Sequence, residues 1–72
     1  MNQLSDISKQ VGDKIKNIRT SNGLTQVKLA TLLHVDKAYI SKIESGKANI
    51  TMSTLIGIST ALNVHIGEFF KI

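Results

Sequence analysis

The chain has 72 residues, which is enough for one domain over residues 1–72 and too few for a second. It has no cysteine, which excludes disulfides and thiolate metal sites, and no proline, which favours helices. Nine Lys and Arg against five Asp and Glu give a net charge of +4. That charge is typical of a protein with a polyanionic partner, although solubility alone would also explain it.

The sequence lacks the features of a membrane or secreted protein. No apolar run approaches the ~18 residues of a membrane span, and residues 1–10 lack the basic and then apolar order of a signal peptide. The apolar fraction of 42% is that of a globular chain. We therefore expect a globular, cytoplasmic protein.

The first predicted helix runs from about Ile7 to Ser21. Ser5 or Asp6 is a suitable N-cap, and Asn22-Gly23 is a typical helix stop because glycine readily adopts the left-handed conformation. Apolar residues recur at spacings of three and four and predict one buried stripe: Leu4, Ile7, Val11, Ile15 and Ile18.

The second predicted helix runs from about Gln26 to Leu33, with Thr25 as its N-cap. Only His34 and Val35 separate it from the next cap, Asp36. Two helices with so short a connection cross steeply, at roughly 90–120°. The residues expected to face inward are Leu29, Ala30, Leu32 and Leu33.

The third predicted helix runs from about Lys37 to Ser45 and stops at Gly46. Ile40 and Ile43 supply its apolar stripe, and the small Ala30 suits the point of closest approach between the two helices. The segment from residue 25 to residue 46 is therefore a predicted helix-turn-helix. Its other face is small, polar or basic and is not suited to a core: Lys37, Ala38, Ser41 and Lys42.

The fourth predicted helix runs from about Met52 to Leu62, with Thr51 or Ser53 as N-cap and Asn63 as a left-handed stop. Its β-branched residues and glycine also suit a strand, but the chain offers no partner strand. The face expected to be buried consists of Leu55, Ile56, Ile58, Ser59 and Leu62.

A fifth, short helical segment is expected at about Ile66 to Phe70. The tail carries more apolar residues than so short a helix can bury, so the excess is expected to cover a second copy of the chain. Phe69 is the better core candidate, and Phe70 and Ile72 are the better interface candidates. The candidate dimer interface comprises Ile66, Phe69, Phe70 and Ile72.

Six short stretches of the sequence carry a family resemblance: Leu24-Thr25-Gln26, Leu29-Ala30, Tyr39–Glu44, Gly46-Lys47, Thr54-Leu55 and Ala61–Val64. They resemble the phage-repressor and Cro-like, or Xre-type, helix-turn-helix family, and the resemblance covers about residues 11–70. It implies an all-α, compact five-helix, lambda-repressor-like DNA-binding domain. One departure is His34, where the family usually has glycine, and a side chain there has a small stability cost.

The resemblance implies that the second helix of the helix-turn-helix enters the major groove. The implied base-reading residues are Lys37, Ala38, Ser41 and Lys42, with Tyr39 beside them. Simple packing is the alternative role for Tyr39. Lysine can donate to guanine, and an alanine methyl can meet that of thymine. Contacts with the DNA backbone are implied for Thr25, Gln26, Lys47 and Asn49, and a base edge is the alternative contact of Gln26.

Arg19 and Glu44 occupy positions that form an ion pair between the first and third helices in relatives. Such a pair would orient the reading helix, and the alternative is two solvated charges of little effect. His34 and His65 are far apart in sequence and lack ligand partners at metal spacing. We therefore expect no metal, no cofactor and no small-molecule ligand.

The function that the resemblance implies is a sequence-specific regulator of transcription that binds double-stranded DNA as a homodimer, on an inverted-repeat operator. Residues 35–41 and the apolar tail resemble controller proteins of restriction–modification systems. Those proteins are homodimers that act as activators at one occupancy and repressors at another, which makes RNA polymerase a further candidate partner. Phage-type repressors and antitoxins share most of the same signature and remain alternatives.

Two other classes of function are disfavoured. A helix-turn-helix can bind protein instead of DNA, but Lys37 and Lys42 on the exposed face argue against this. An enzyme is disfavoured because there is no cysteine, no recognisable Ser, His and acid pattern and no glycine-rich phosphate loop.

Overall fold

Four α-helices and one 3₁₀ helix make up the fold of this chain. The structure is a computed structural model that describes the backbone of residues 3–71 and the side chains of residues 6–71. The helices are α1 (Gln3–Ser21), α2 (Gln26–Leu33), α3 (Lys37–Glu44), α4 (Met52–Leu62) and the 3₁₀ helix (Ile66–Phe70). The all-α prediction is confirmed. The predicted fifth, short helical segment is a 3₁₀ helix, because five residues are too few for a stable α-helical ladder and close as 3₁₀ turns instead.

The start of α1 was predicted wrongly. The helix begins at Gln3, about one turn before Ile7, so Ser5 and Asp6 lie inside it and neither is its N-cap. Residues 3–11 contain no glycine or proline to interrupt a helix, and Asp6 in the first turn interacts favourably with the helix dipole. The predicted stop is confirmed, since Gly23 has a φ of 73°.

The bounds of α2 and α4 are confirmed, and each helix begins with a threonine cap. Thr25 Oγ1 accepts a hydrogen bond from the backbone N–H of Lys28 at 3.0 Å. Thr51 Oγ1 accepts one from the backbone N–H of Thr54 at 3.2 Å, so Thr51 is the N-cap of α4. Both caps satisfy an N–H that has no partner within its own helix.

The predicted ends of α3 need one small correction. The helix stops at Glu44, and Ser45 is its C-cap, followed by Gly46 with a φ of 79°. Asp36 is the N-cap residue as predicted, but its carboxylate accepts no hydrogen bond from the helix. The start of α3 therefore lacks the side-chain cap that α2 and α4 have.

One apolar core joins the helices within residues 6–71. Three residues predicted to face it are exposed instead: Ile7 by 43%, Leu32 by 46% and Ile56 by 52%. Periodicity predicts which side of a helix is apolar, but the neighbouring helices cover only part of that side. The side chain of Leu4 lies outside the described residues. The buried apolar residues are Val11, Ile15, Leu29, Ala30, Ile40, Ile43, Leu55, Ile58, Leu62 and Phe69.

His34 and Asn63 end α2 and α4 in the left-handed conformation, each with a φ of 58°. Both were expected to do so. Asparagine tolerates this conformation better than most residues, whereas the larger imidazole residue does so at some cost. The turn between α2 and α3 therefore has the backbone geometry of a glycine turn without a glycine.

Direct backbone contact positions α1 against α3. A β-carbon on Gly12 would overlap the carbonyl oxygen of Ile43 and lie 2.8 Å from that of Glu44. A β-carbon on Gly46 would lie 2.8 Å from the α-carbon of Lys9. Both glycines therefore permit an approach that any side chain would block.

Among the helices of residues 3–71, none combines the length and the apolar character that crossing a bilayer requires.

Candidate DNA interface

Four predicted base-reading residues share the exposed face of α3. Lys37, Ala38, Ser41 and Lys42 are all exposed, whereas Ile40 and Ile43 on the other side of the helix are buried in the core. The structure therefore brings this set together on one surface. Two of its members are lysines and none is acidic, so the surface is basic.

Tyr39 differs from those four residues. It is half-buried, and its ring packs against the apolar core. Its hydroxyl lies 3.5 Å from the hydroxyl of Thr54 in α4. The structure thus places Tyr39 at the edge of the exposed face, with packing and a polar contact to α4 within its own chain.

The structure joins Arg19 and Glu44 in a buried ion pair. Arg19 Nε donates to Glu44 Oε2 at 2.6 Å, and Arg19 Nη2 donates to Oε1 at 3.0 Å. The two residues are 6% and 4% exposed, respectively. Two parallel hydrogen bonds fix both distance and orientation, so the C-terminal end of α3 is held against α1.

Two further hydrogen bonds complete this cluster. Arg19 Nη1 donates to the carbonyl oxygen of Leu24 at 2.6 Å, and Gln26 Nε2 donates to Glu44 Oε1 at 3.0 Å. Within the described part of the chain, no buried side-chain nitrogen or oxygen lacks a hydrogen-bond partner. A buried charge is tolerated when it is paired and fully hydrogen-bonded, and this cluster meets both conditions.

The predicted backbone-contacting residues fall in two places. Thr25 and Gln26 lie together at the N-terminus of α2, where Gln26 is anchored to Glu44. Lys47 and Asn49 are exposed in the loop after α3. Asn49 lines a groove with Phe70, so it lies towards the tail of the chain.

The predicted dimer residues separate into core and surface. Phe69 is 1% exposed and belongs to the core of its own chain, which confirms it as the better core candidate and removes it from the interface set. Phe70 is 51% exposed, and Ile66 is half-buried against the core. A five-residue helix has one inward side, and Phe69 occupies it. Ile72 lies outside the described residues.

An open groove of about 190 Å³ adjoins Phe70. It is mainly apolar, and its apolar lining consists of Ile7, Val11, Ile50, Leu55 and Phe70. This groove was not predicted from the sequence, because the periodicity of α1 places Ile7 on the buried stripe. Exposed apolar surface of this kind often marks a protein contact.

The charges beside this tail are paired. Lys71 Nζ lies 2.6 Å from Glu68 Oε2. The hydrogen bond from Lys71 and the positive charge of its ammonium group hold the pKa of Glu68 below its ordinary value.

Two residues that position the site were not singled out from the sequence. Gly12 permits the close approach of α1 to α3, and a glycine inside a strong helical pattern is the signal that could have revealed it. Asn22 Nδ2 donates to the carbonyl oxygen of Leu62 at 2.9 Å and so ties the turn after α1 to the end of α4. No group of three His, Asp or Glu residues within the described part of the chain could hold a metal ion.

Comparison with known proteins agrees with this geometry. The family described as helix-turn-helix matches residues 15–69. The control protein C.MunI from a Mycoplasma species is 34% identical over 69 residues, which are 94% of this chain and 93% of that protein. The immunity repressor of Bacillus phage phi105 is 38% identical over 56 residues, which are 78% of this chain and 39% of the repressor.

A solved structure shows the same arrangement of helices. The crystal structure of the restriction-modification controller protein C.AhdI from Aeromonas hydrophila superposes with a TM-score of 0.84 at 31% identity. The match covers 90% of this chain and 97% of that protein. With its exposed α3 and its matched length, the chain belongs to the helix-turn-helix family of transcriptional regulators.

Proposed function

We propose that the chain binds operator DNA as a homodimer and that α3 is the helix that reads the bases. The observation that carries this proposal is the contrast between the two sides of α3. One side is exposed and basic, while the other is held by Ile40, Ile43 and the buried pair of Arg19 and Glu44. A rigidly mounted basic helix suits the major groove, where small misplacements remove hydrogen bonds.

Each exposed residue of α3 has a role that its chemistry supports. Lys37 and Lys42 donate to O6 and N7 of guanine, and the methyl group of Ala38 meets a thymine methyl group. Ser41 can donate to or accept from a base edge. Tyr39 contributes from the edge of this face, beside Thr54. These contacts supply sequence preference.

Other residues set the position of the protein on the duplex. The N-terminus of α2, at Thr25 and Gln26, presents backbone amides to a phosphate, and Lys47 and Asn49 contact the backbone from the following loop. Phosphate contacts fix register without carrying a sequence code. Their loss would therefore weaken binding to all sequences to a similar extent.

The proposed dimer uses the apolar surface around the tail. Phe70 and Ile7 are about half exposed and line the same groove, which a second copy of the chain would cover. Ile66 supports this surface from the half-buried side of the 3₁₀ helix. A twofold axis would place two α3 helices in successive major grooves, about 34 Å apart, on an inverted repeat.

Within the family, we favour a controller of a restriction–modification system that acts in the cytoplasm and also contacts RNA polymerase. The matches to C.MunI and C.AhdI extend over 93% and 97% of those proteins. The match to the phage immunity repressor spans 39% of that protein, and repressor or antitoxin is the second candidate. A protein-interaction module would use the same face, but two lysines and no acid favour a polyanion.

The test is a titration onto mixed-sequence duplex DNA at two salt concentrations, followed by selection from a random pool. Steep weakening with salt and enrichment of an inverted repeat are expected. Sedimentation at micromolar concentration, with and without the selected duplex, is expected to show a dimer. Absence of binding at low salt would contradict the proposal and favour the protein-interaction module.

The control for this test is a variant with the same fold and a changed α3 face. The double variant Lys37→Ala and Lys42→Ala alters two exposed residues and is expected to keep the thermal stability of the wild type. It is expected to lose selection of the inverted repeat. Retention of the same selected sequence would show that α3 is not the reading helix.

A further inference from the structure

A second groove lies between α1 and the C-terminal half of α3, with a volume of about 240 Å³. None of its α1 residues has been assigned a role so far. Seven polar residues from three helices and the α3 C-cap line it: Lys9, Asp13, Lys16, Gln26, Ser41, Glu44 and Ser45. The side of α1 that it exposes is opposite to the apolar stripe of that helix.

The position of this groove relates it to the proposed DNA contact. Ser41 belongs to the exposed face of α3, and Gln26 stands at the N-terminus of α2. Both residues line the groove, so it opens on the same side of the molecule as the proposed reading surface. A duplex held by α3 and the start of α2 would pass in front of it.

The groove has fixed walls. Gly12 brings the backbone of α1 against the carbonyl groups of Ile43 and Glu44, and Gly46 receives the backbone of Lys9. Lys16 lies one turn along α1 from Gly12, on the same side of the helix. The main-chain contact therefore sets the distance from the root of the Lys16 side chain to α3.

The charges around the groove leave one cation uncompensated. Lys9 Nζ lies 2.6 Å from Asp13 Oδ1, and the carboxylate of Glu44 is neutralised by Arg19. Among the side chains of residues 6–71, Lys16 forms no ion pair. Lys16 is exposed and lines the groove together with Ser41 and Gln26, whose hydroxyl and amide groups can also donate hydrogen bonds to an anion.

We propose that Lys16 binds a backbone phosphate at the flank of each half-site, where the duplex passes the groove between α1 and α3. The inference rests on the proposed function and extends the contact surface from α2 and α3 to α1. The ammonium group donates to a phosphodiester oxygen and releases condensed counterions. The contact adds affinity without sequence preference, because every phosphate presents the same oxygens.

The experiment compares Lys16→Ala with Lys14→Ala on one fixed duplex over a range of salt concentrations. The two variants remove the same charge from the same helix, but their positions are about 200° apart around its axis. Lys14 lies on the side of Glu68 and the 3₁₀ helix. Because the dimer loses one contact at each half-site, Lys16→Ala is expected to make the slope of log K against log salt shallower by about 2. Affinity at 0.1 M salt is expected to fall by about 25-fold to 100-fold.

Lys14→Ala is expected to keep the slope of the wild type, and Lys16→Arg is expected to restore it. If the wild type binds DNA with steep salt dependence but Lys16→Ala and Lys14→Ala have equal slopes, the assignment of Lys16 is overturned and the proposed function is not. A wild type that does not bind DNA would overturn the proposed function. A change in the preferred sequence for Lys16→Ala would show base contact and would also overturn the assignment.

Discussion

Gly12 in α1 lies directly against the backbone carbonyl group of Ile43 in α3, with no space for a side chain between them. Both partners are main-chain groups, so neither can relieve the contact by a change of rotamer. The absence of a β-carbon therefore sets the separation of the two helices at this point. This contact positions the C-terminal end of α3.

Gly12→Ala is expected to destabilise the protein, although alanine is the better helix former by about 1 kcal/mol. The added methyl group must move α1 away from α3, which costs about 1–3 kcal/mol and exceeds the gain in propensity. Urea unfolding measures the change. Gly67→Ala is the control, because a β-carbon there meets nothing within 4 Å. A stabilised Gly12→Ala would contradict the close contact.

Removal of one partner from the buried ion pair is expected to have a large effect. Arg19→Met leaves the carboxylate of Glu44 buried with only Gln26 as a donor, and the expected loss is about 3–5 kcal/mol. Unfolding is followed by circular dichroism at low temperature. The double variant Arg19→Met and Glu44→Leu is expected to recover much of this loss. If the double variant loses as much free energy of unfolding as the two single variants together, the two residues are not energetically coupled.

His34→Gly is expected to stabilise the protein by about 0.5–1 kcal/mol, because glycine adopts the left-handed conformation without the cost of a β-carbon. Asn63→Gly is the matched control, since Asn63 has the same φ of 58° but asparagine tolerates it better. A higher Tm for His34→Gly than for Asn63→Gly is expected. Equal changes would show that the imidazole residue is not strained.

Two lysines close in sequence are expected to have different roles in binding. Lys42→Ala removes a proposed base contact and is expected to lose about 1–3 kcal/mol of discrimination between operator and altered operator. Lys47→Ala removes a proposed phosphate contact and is expected to weaken binding to both duplexes alike. Competition titrations with the two duplexes measure both effects. Lost discrimination in Lys47→Ala, with uniformly weaker binding in Lys42→Ala, would instead assign the base contact to Lys47 and the phosphate contact to Lys42.

Substitutions of the two neighbouring phenylalanines are expected to have different effects, one on dimerisation and the other on the stability of the fold. Phe70→Ser removes exposed apolar surface and is expected to shift the protein towards monomer in sedimentation equilibrium while its monomer remains folded. Phe69→Ala opens a cavity in the core and is expected to cost about 3–5 kcal/mol of stability. Unchanged dimerisation of Phe70→Ser would place the interface elsewhere.

The bounds of a helix could be predicted from the sequence where capping and stop residues mark its ends. Thr25 and Thr51 cap α2 and α4, and His34 and Asn63 end them in the left-handed conformation, so all four bounds were predicted correctly. Before Ile7 the cap candidates Ser5 and Asp6 lie inside α1 instead of at its start, so the extension of α1 to Gln3 was missed.

Contacts between distant parts of the chain were harder to predict. The exposure of Ile7, Leu32 and Ile56 depends on which neighbouring helices cover them. The spacing of apolar residues along one helix does not contain that information. The pairing of Arg19 with Glu44 came from the resemblance to a family. The role of Gly12 required the position of Ile43, which is far along the sequence and reaches α1 through the fold.

Apart from the contact of Tyr39 with Thr54, the attachments of α3 described above lie away from its exposed face. The contact at Gly12, the pair of Arg19 and Glu44, and the buried Ile40 and Ile43 remain when the residues facing solvent are replaced. If α3 reads the operator as proposed, substitutions at a few surface positions would change the preferred operator without a penalty in folding. Related proteins built on one such scaffold would then regulate different promoters in one cell without cross-talk.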